Sequence, residues 1–217
     1  MKNIPIFTAC GGTATLILRE IPRLGRAYVI LQTSTPGQEA EQAAACAGFC
    51  RQFGAREGFV SSREQAALPL PHSHDMCRRT LPRAALTPPE RPVALVAPDE
   101  ALTPLYLQRY AEAFAPVLNA SMLTREDLSR AVAEGSRFFL AQSGGQWVGL
   151  GQVCGAELQA VASFCPGWGR AVTQALLAET QGGPITLLVC SANARAMALY
   201  DRLGFTPPEI VSQWYRI

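Results

Sequence analysis

The chain has 217 residues, 48% of them hydrophobic and 17% charged, with a formal net charge of +2. That supplies a packed core for one to two folding units and excludes a disordered chain. The small charge gives no electrostatic footprint for nucleic acid, and no apolar run reaches the ~18 residues of a membrane span.

The opening stretch MKNIPIFTACGGTATLIL has one Lys and a run broken by Pro, Thr and Gly, so it does not read as a signal peptide. The runs TATLILRE and RAYVILQT, joined by IPRLG, predict an antiparallel hairpin. In TPGQEAEQAAACAGFCRQFG, Thr35 suits an N-cap, Pro36 the first helical position, and Gln38 a capping box. Ala43, Cys46, Ala47, Cys50 and Phe53 then form one apolar stripe, and EGFVSS follows as a strand. This β-β-α-β unit spans residues 1–67.

Residues 68–92, with LPLPH and TPPERP, predict an irregular, proline-rich linker. It holds both histidines, in PHSHDMC. His72, His74 and Cys77 raise a Zn²⁺ site, but no second ligand cluster is evident and a polar loop is the better reading. The seven cysteines, at 10, 46, 50, 77, 154, 165 and 190, include no Cys-x-x-Cys pair. They read as reduced thiols of a cytoplasmic protein.

From residue 93 order returns. PVALVA predicts a strand. Thr103 and Pro104 open a helix with Tyr106, Tyr110, Phe114 and Val117 on one face. Thr124, with Asp127 three residues on, caps a second. RFFLAQ and QWVGLGQVC flank the turn signal SGG, and ELQAVASF is a further strand. CPGWGRAVTQALLAET passes from a Gly-bearing loop into a helix, ITLLVC is a buried strand, and EIVSQWYRI closes the chain as a strand. The whole is an α/β plan with a mixed central sheet.

Two motifs carry chemistry. In VASFCPGWGRAVTQALL, the small residues Gly167, Gly169 and Ala171 precede a helix whose N-terminus favours an anion. A strand–turn–helix corner with packing glycines is the plainer reading of that stretch alone. SANARAMALYDRLGF then opens a short helix on Asn193, carries Tyr200 and stops at Leu203-Gly204-Phe205. Together, Val161-x5-Gly167-x-Gly169-x-Ala171 and Asn193…Ala198-Leu199-Tyr200…Leu203-Gly204-Phe205 resemble the GNAT family of GCN5-related N-acetyltransferases, over residues 93–217.

That resemblance implies an acetyl-CoA co-substrate. Its pyrophosphate would lie on Gly167, Trp168, Gly169, Arg170 and Ala171, and its pantetheine along Val161 and Ser163, near Asn193. It implies splayed fourth and fifth strands, direct attack by an amine, and Tyr200 as general acid for the departing thiolate; the alternative for Tyr200 is a half-buried packing aromatic at helical spacing. Glu157 would act as base; the alternative for it is an exposed strand-end carboxylate. Glu112 and Asp201 read as surface charges. The acceptor would be a small-molecule amine or an amino-terminal group, with Tyr106, Trp214 and Tyr215 as aromatic candidates beside it; the alternative for each is a core aromatic. Neither nucleic acid nor membrane is expected as a partner, and a homodimer is left open.

One departure weakens the resemblance: Pro166 stands where the family places Arg or Gln and has no N–H. The β-β-α-β front half resembles the central part of the same fold without its Gly loop, a degenerate half; the alternative is an unrelated small α/β extension. A non-catalytic protein that kept the fold is the competing reading.

Overall fold

The structure, a computed structural model, describes residues 2–64 and 67–217. The chain divides into two units. One comprises Met1–Cys77, Cys190–Ala192 and Ile210–Ile217; the other comprises Arg78–Val189 and Asn193–Glu209.

In the first unit, β1 (Ile4–Ala9) and β2 (Gly12–Ile17) pair antiparallel. Their two linking residues, Cys10 and Gly11, have φ of 47° and 71°, as a tight hairpin turn requires. β2 pairs antiparallel with β3 (Arg26–Thr33) through the one-turn helix α1 (Ile21–Leu24), so the expected hairpin forms. α2 (Glu39–Gln52) then crosses to β4 (Glu57–Ser62), which runs parallel to β3 in unbroken register from Arg26–Glu57 to Leu31–Ser62.

Of the expected α2 stripe, Ala43, Cys46, Ala47 and Cys50 are buried as their spacing predicts, whereas Phe53, the C-cap residue just past the helix, is exposed. Its N-terminus differs from expectation. Gln38 is the N-cap and no side chain caps it, because Thr35 lies in a turn closed by the Gln38 amide on the Thr35 carbonyl.

The expected linker is largely a strand. β5 (His72–Leu81) occupies ten residues of it. The neighbouring prolines, Pro71 and Pro82, fall just outside, so β5 keeps every N–H it needs for pairing. PHSHDMC is therefore not a loop. His74 is 1% exposed, and its ring stacks on Trp214 and meets the edge of Phe59. His72 Nε2 pairs with Asp75 Oδ1 at 2.8 Å. The unit boundary falls within β5, and residues 210–217 belong to the first unit; the division 1–67, 68–92, 93–217 is not the one observed. The first unit's strand order is β1-β2-β3-β4-β11-β5, with β11 (Glu209–Arg216) antiparallel to β4.

In the second unit the order is β5-β10-β9-β8-β7-β6. β6 (Ala94–Val96), β7 (Ser136–Ser143), β8 (Gln146–Cys154) and β9 (Glu157–Ser163) are successive antiparallel neighbours. α3 (Thr103–Phe114) and α4 (Arg125–Ala133) bring Tyr106, Tyr110, Phe114 and Leu128 onto Phe138, Leu140, Leu150 and Ala160. The Thr124–Asp127 capping box forms in full.

α5 (Gly169–Glu179) packs on β8. The approach is close because β8 presents glycines there. A Cβ at Gly149 would meet Val172 Cγ1 at 2.8 Å, and one at Gly151 would meet Leu176 Cδ1 at 2.2 Å. β10 (Ile185–Cys190) and α6 (Ala194–Arg202) follow. No helix among the described residues is long and apolar enough to cross a membrane.

Candidate active site

β9 and β10 are parallel neighbours, but among the described residues they are in register only at Glu157–Thr186. Beyond it β9 runs on to Ser163 with only β8 paired along its length. The Phe164 N–H donates to the Val148 carbonyl at 2.8 Å. In the antiparallel β8–β9 ladder the even positions Ala160 and Ala162 therefore also direct their backbone groups to β8. Val161 and Ser163, opposite Gly151 and Gly149, direct theirs to the β10 side. The first unit's parallel pair, β3 and β4, is closed throughout and offers no such edge.

At the end of this edge the chain turns through Gly167 (φ 81°) into α5. Trp168 is the N-cap residue and no side chain caps the helix. The first backbone hydrogen bond of the helix runs from Val172 to Trp168, so the Gly169, Arg170 and Ala171 amides have no acceptor within it. Ala171 is 2% exposed. A Cβ added at Gly169 would lie 3.6 Å from Ser163 Oγ and 3.8 Å from Leu199 Cδ2. The strand end, the helix start and the flank of α6 thus converge on one small residue.

The segment after β5 runs along α5. Arg83 donates to the Gly182 and Thr180 carbonyls at the helix C-terminal end, at 2.9 and 3.0 Å. Gln174 donates to Thr87 Oγ1 at 2.8 Å midway. Near the start, Glu90 Oε1 pairs with Arg170 Nη1 at 3.0 Å and the Arg91 guanidinium lies 5.1 Å over the Trp168 ring. Arg170 Nε is buried without a partner among the described residues. Glu90 and Arg91 were missed because TPPERP shows no periodicity from which a docking face could be read.

α6 answers the question its sequence poses. Asn193 Oδ1 accepts from the Ala196 amide at 3.1 Å, so it caps the helix as expected. At the other end Gly204 (φ 84°) donates to the Asp201 carbonyl and Phe205 to the Tyr200 carbonyl, a Schellman stop. The Tyr200 and Phe205 rings lie 5.4 Å apart, the apolar contact that accompanies it. Tyr200 is 7% exposed, and burial pushes its phenol up to about 12, against the opposing pull of Arg79. The phenol is therefore protonated at neutral pH.

Arg79 was not foreseen. It is 1% exposed and donates to the Thr206, Phe205 and Met197 carbonyls at 2.7, 3.1 and 3.2 Å. Its Nη2 also lies 2.7 Å from Asp201 Oδ1. Asp201, expected to be a plain surface charge, is the partner of a buried cation. An arginine in a stretch read as linker looks solvated; only the pairing of β5 turns it inward.

Glu157 sits where β9 and β10 meet, and its Oε2 accepts from Gln159 Nε2 at 3.3 Å. Gln159 Oε1 in turn accepts from Ser136 Oγ and Gln152 Nε2, at 3.0 and 2.6 Å. Glu112 is an exposed carboxylate bonded by Gln108 and Arg109, which lower its pKa. The aromatic acceptor-side candidates are all core. Tyr106 is fully buried and donates to the Gly151 carbonyl at 3.2 Å; Trp214 and Tyr215 are buried in the first unit. Among the described residues no group of three His, Cys, Asp or Glu side chains could hold a metal.

No family model matches the sequence, and no curated protein matches it. Solved structures do. A GCN5-related N-acetyltransferase from Sphaerobacter thermophilus superposes with a TM-score of 0.57 at 14% identity, over 95% of this chain and 76% of that one. One from Kribbella flavida gives 0.54 at 15% identity, over 97% and 87%. A functionally unknown conserved protein from Staphylococcus epidermidis ATCC 12228 gives 0.60 at 10% identity, over 97% and 91%. The chain has the fold of the GCN5-related N-acetyltransferases.

Proposed function

We propose that this chain is an N-acyltransferase that takes an acetyl group from acetyl-CoA and passes it to a small-molecule amine or an amino-terminal group. The observation that carries the reading is the open edge of β9. Among the described residues, Val161 and Ser163 have no strand partner on the β10 side, and their backbone groups there are open to a ligand carrying amides. The uncapped start of α5 suits a pyrophosphate, with the Gly169, Arg170 and Ala171 amides as donors and Arg170 as the cation. Pro166 removes one further donor from that loop.

At the reacting centre the amine nitrogen attacks the thioester carbonyl carbon, and the carbon–sulfur bond breaks. Glu157, at the closed end of the strand pair, takes the amine proton. Tyr200, held protonated by burial, gives its proton to the departing sulfur. Seven cysteines without a disulfide suit a reducing compartment, and we place the protein in the cytoplasm.

A non-catalytic protein of the same fold is the second reading, favoured by Glu90 already occupying Arg170. Titration calorimetry with acetyl-CoA and with CoA separates the two. Micromolar binding of both is expected, followed by a loss of roughly 10²-fold in kcat on Tyr200→Phe. No binding at millimolar cofactor refutes the enzyme.

A further inference from the structure

We propose that Arg79 is a positioning residue for Tyr200: it gathers the last turn of α6 and the chain beyond it around one buried guanidinium and so fixes where the phenol points. The inference rests on the reading of Tyr200 as the acid.

Three carbonyls, from Met197 inside the helix and from Phe205 and Thr206 beyond its stop, converge on one side chain. They bracket Tyr200 in sequence on both sides. A planar fork with five donors can serve three carbonyls and a carboxylate together, whereas an ammonium presents three donors from a single atom. The charge lies at the negative end of the helix, which favours a cation. Arg79 also touches the phenol electrostatically: its positive charge opposes the effect of burial. Asp201 Oδ1, 2.7 Å from Nη2, offsets part of that charge. The stop at Gly204, closed by its own backbone bonds, is thus also tied to a cation supplied by β5, a strand more than a hundred residues earlier in the chain.

The test uses the full chain with 3-fluorotyrosine in place of tyrosine, which brings the phenols into a lower titration range. The ¹⁹F signal lost in Tyr200→Phe assigns the residue. Asp201→Asn leaves the three carbonyl bonds intact and removes the countercharge, so the Tyr200 signal is expected to titrate at lower pH than in the parent protein. Arg79→Lys keeps the charge but not the fork; kcat is expected to fall roughly 10- to 100-fold with KM for acetyl-CoA unchanged, as a displaced acid requires. A Tyr200 titration unmoved by Asp201→Asn overturns the proposal, as does a folded Arg79→Lys with parental kcat. Should Arg79→Lys fail to fold, the Asp201→Asn titration decides. If Tyr200→Phe retains full kcat, it is the acid assignment that fails, and the titration still reports whether Arg79 governs the phenol.

Discussion

Glu90→Gln should tighten cofactor binding. Glu90 Oε1 lies 3.0 Å from Arg170 Nη1 at the start of α5, where the proposed pyrophosphate would lie. The carboxylate is therefore a built-in competitor for the cation. With side chains 42% and 55% exposed, the pair is well solvated. An exposed ion pair of this kind is worth ~0.2–1 kcal/mol. Releasing Arg170 from it should lower the Kd for CoA by a factor of about 1.4–5. Glutamine keeps the volume and one acceptor oxygen, so the Arg83 and Thr87 contacts along α5 should survive. Titration calorimetry at low and at high ionic strength gives the readout, because salt screens the competitor as well as the phosphate. The gain should be largest at low salt and vanish near 1 M, where the screening length is about 3 Å. Unchanged or weaker binding at low salt would refute the reasoning, as would an equal gain at both ionic strengths.

Other consequences are local. Gly151→Ala would put a Cβ 2.2 Å from Leu176 Cδ1 and 2.9 Å from its Cγ, so urea unfolding should show a loss of about 1–3 kcal/mol. Asn193→Ala removes the α6 cap and should cost about 1 kcal/mol in the same assay. Stability should also depend on alkaline pH. Burial raises the Cys46 and Cys50 thiols from 9.0 to about 12 and about 11. Both favour the folded state in full below pH 9.0, and this contribution is lost as pH rises through the folded values. The urea midpoint should hold up to about pH 9 and fall toward pH 11–12, and Cys46→Ala should flatten the fall.

Much of the site was legible because it is made of short-range bonds. The Asn193 cap, the stop at Gly204 and the Thr124–Asp127 box each close within a few residues, so side-chain chemistry and spacing suffice to foresee them. The apolar stripe of α2 and the β7–β8 hairpin follow from periodicity and turn residues in the same way. The strands ELQAVASF and ITLLVC were equally plain as strands.

Their separation was not derivable from either strand alone. RAYVILQT and EGFVSS form a closed parallel pair, ELQAVASF and ITLLVC meet at one position, and no local feature of the four marks that difference. Strand pairing is a property of two segments and of what lies on both faces, which a single segment does not encode. The same limit hid β5 among its prolines. With β5 went the burial of Arg79 and the true role of Asp201, whose partners lie about 120 residues apart in sequence. It also turned Tyr106, Trp214 and Tyr215, read as aromatics for an acceptor, into core. The sequence by itself determined the caps, stops and turns, because those are settled between near neighbours. Only the tertiary structure decided which strand edge stays open and which charge is buried, because both depend on partners that the fold brings from far along the chain.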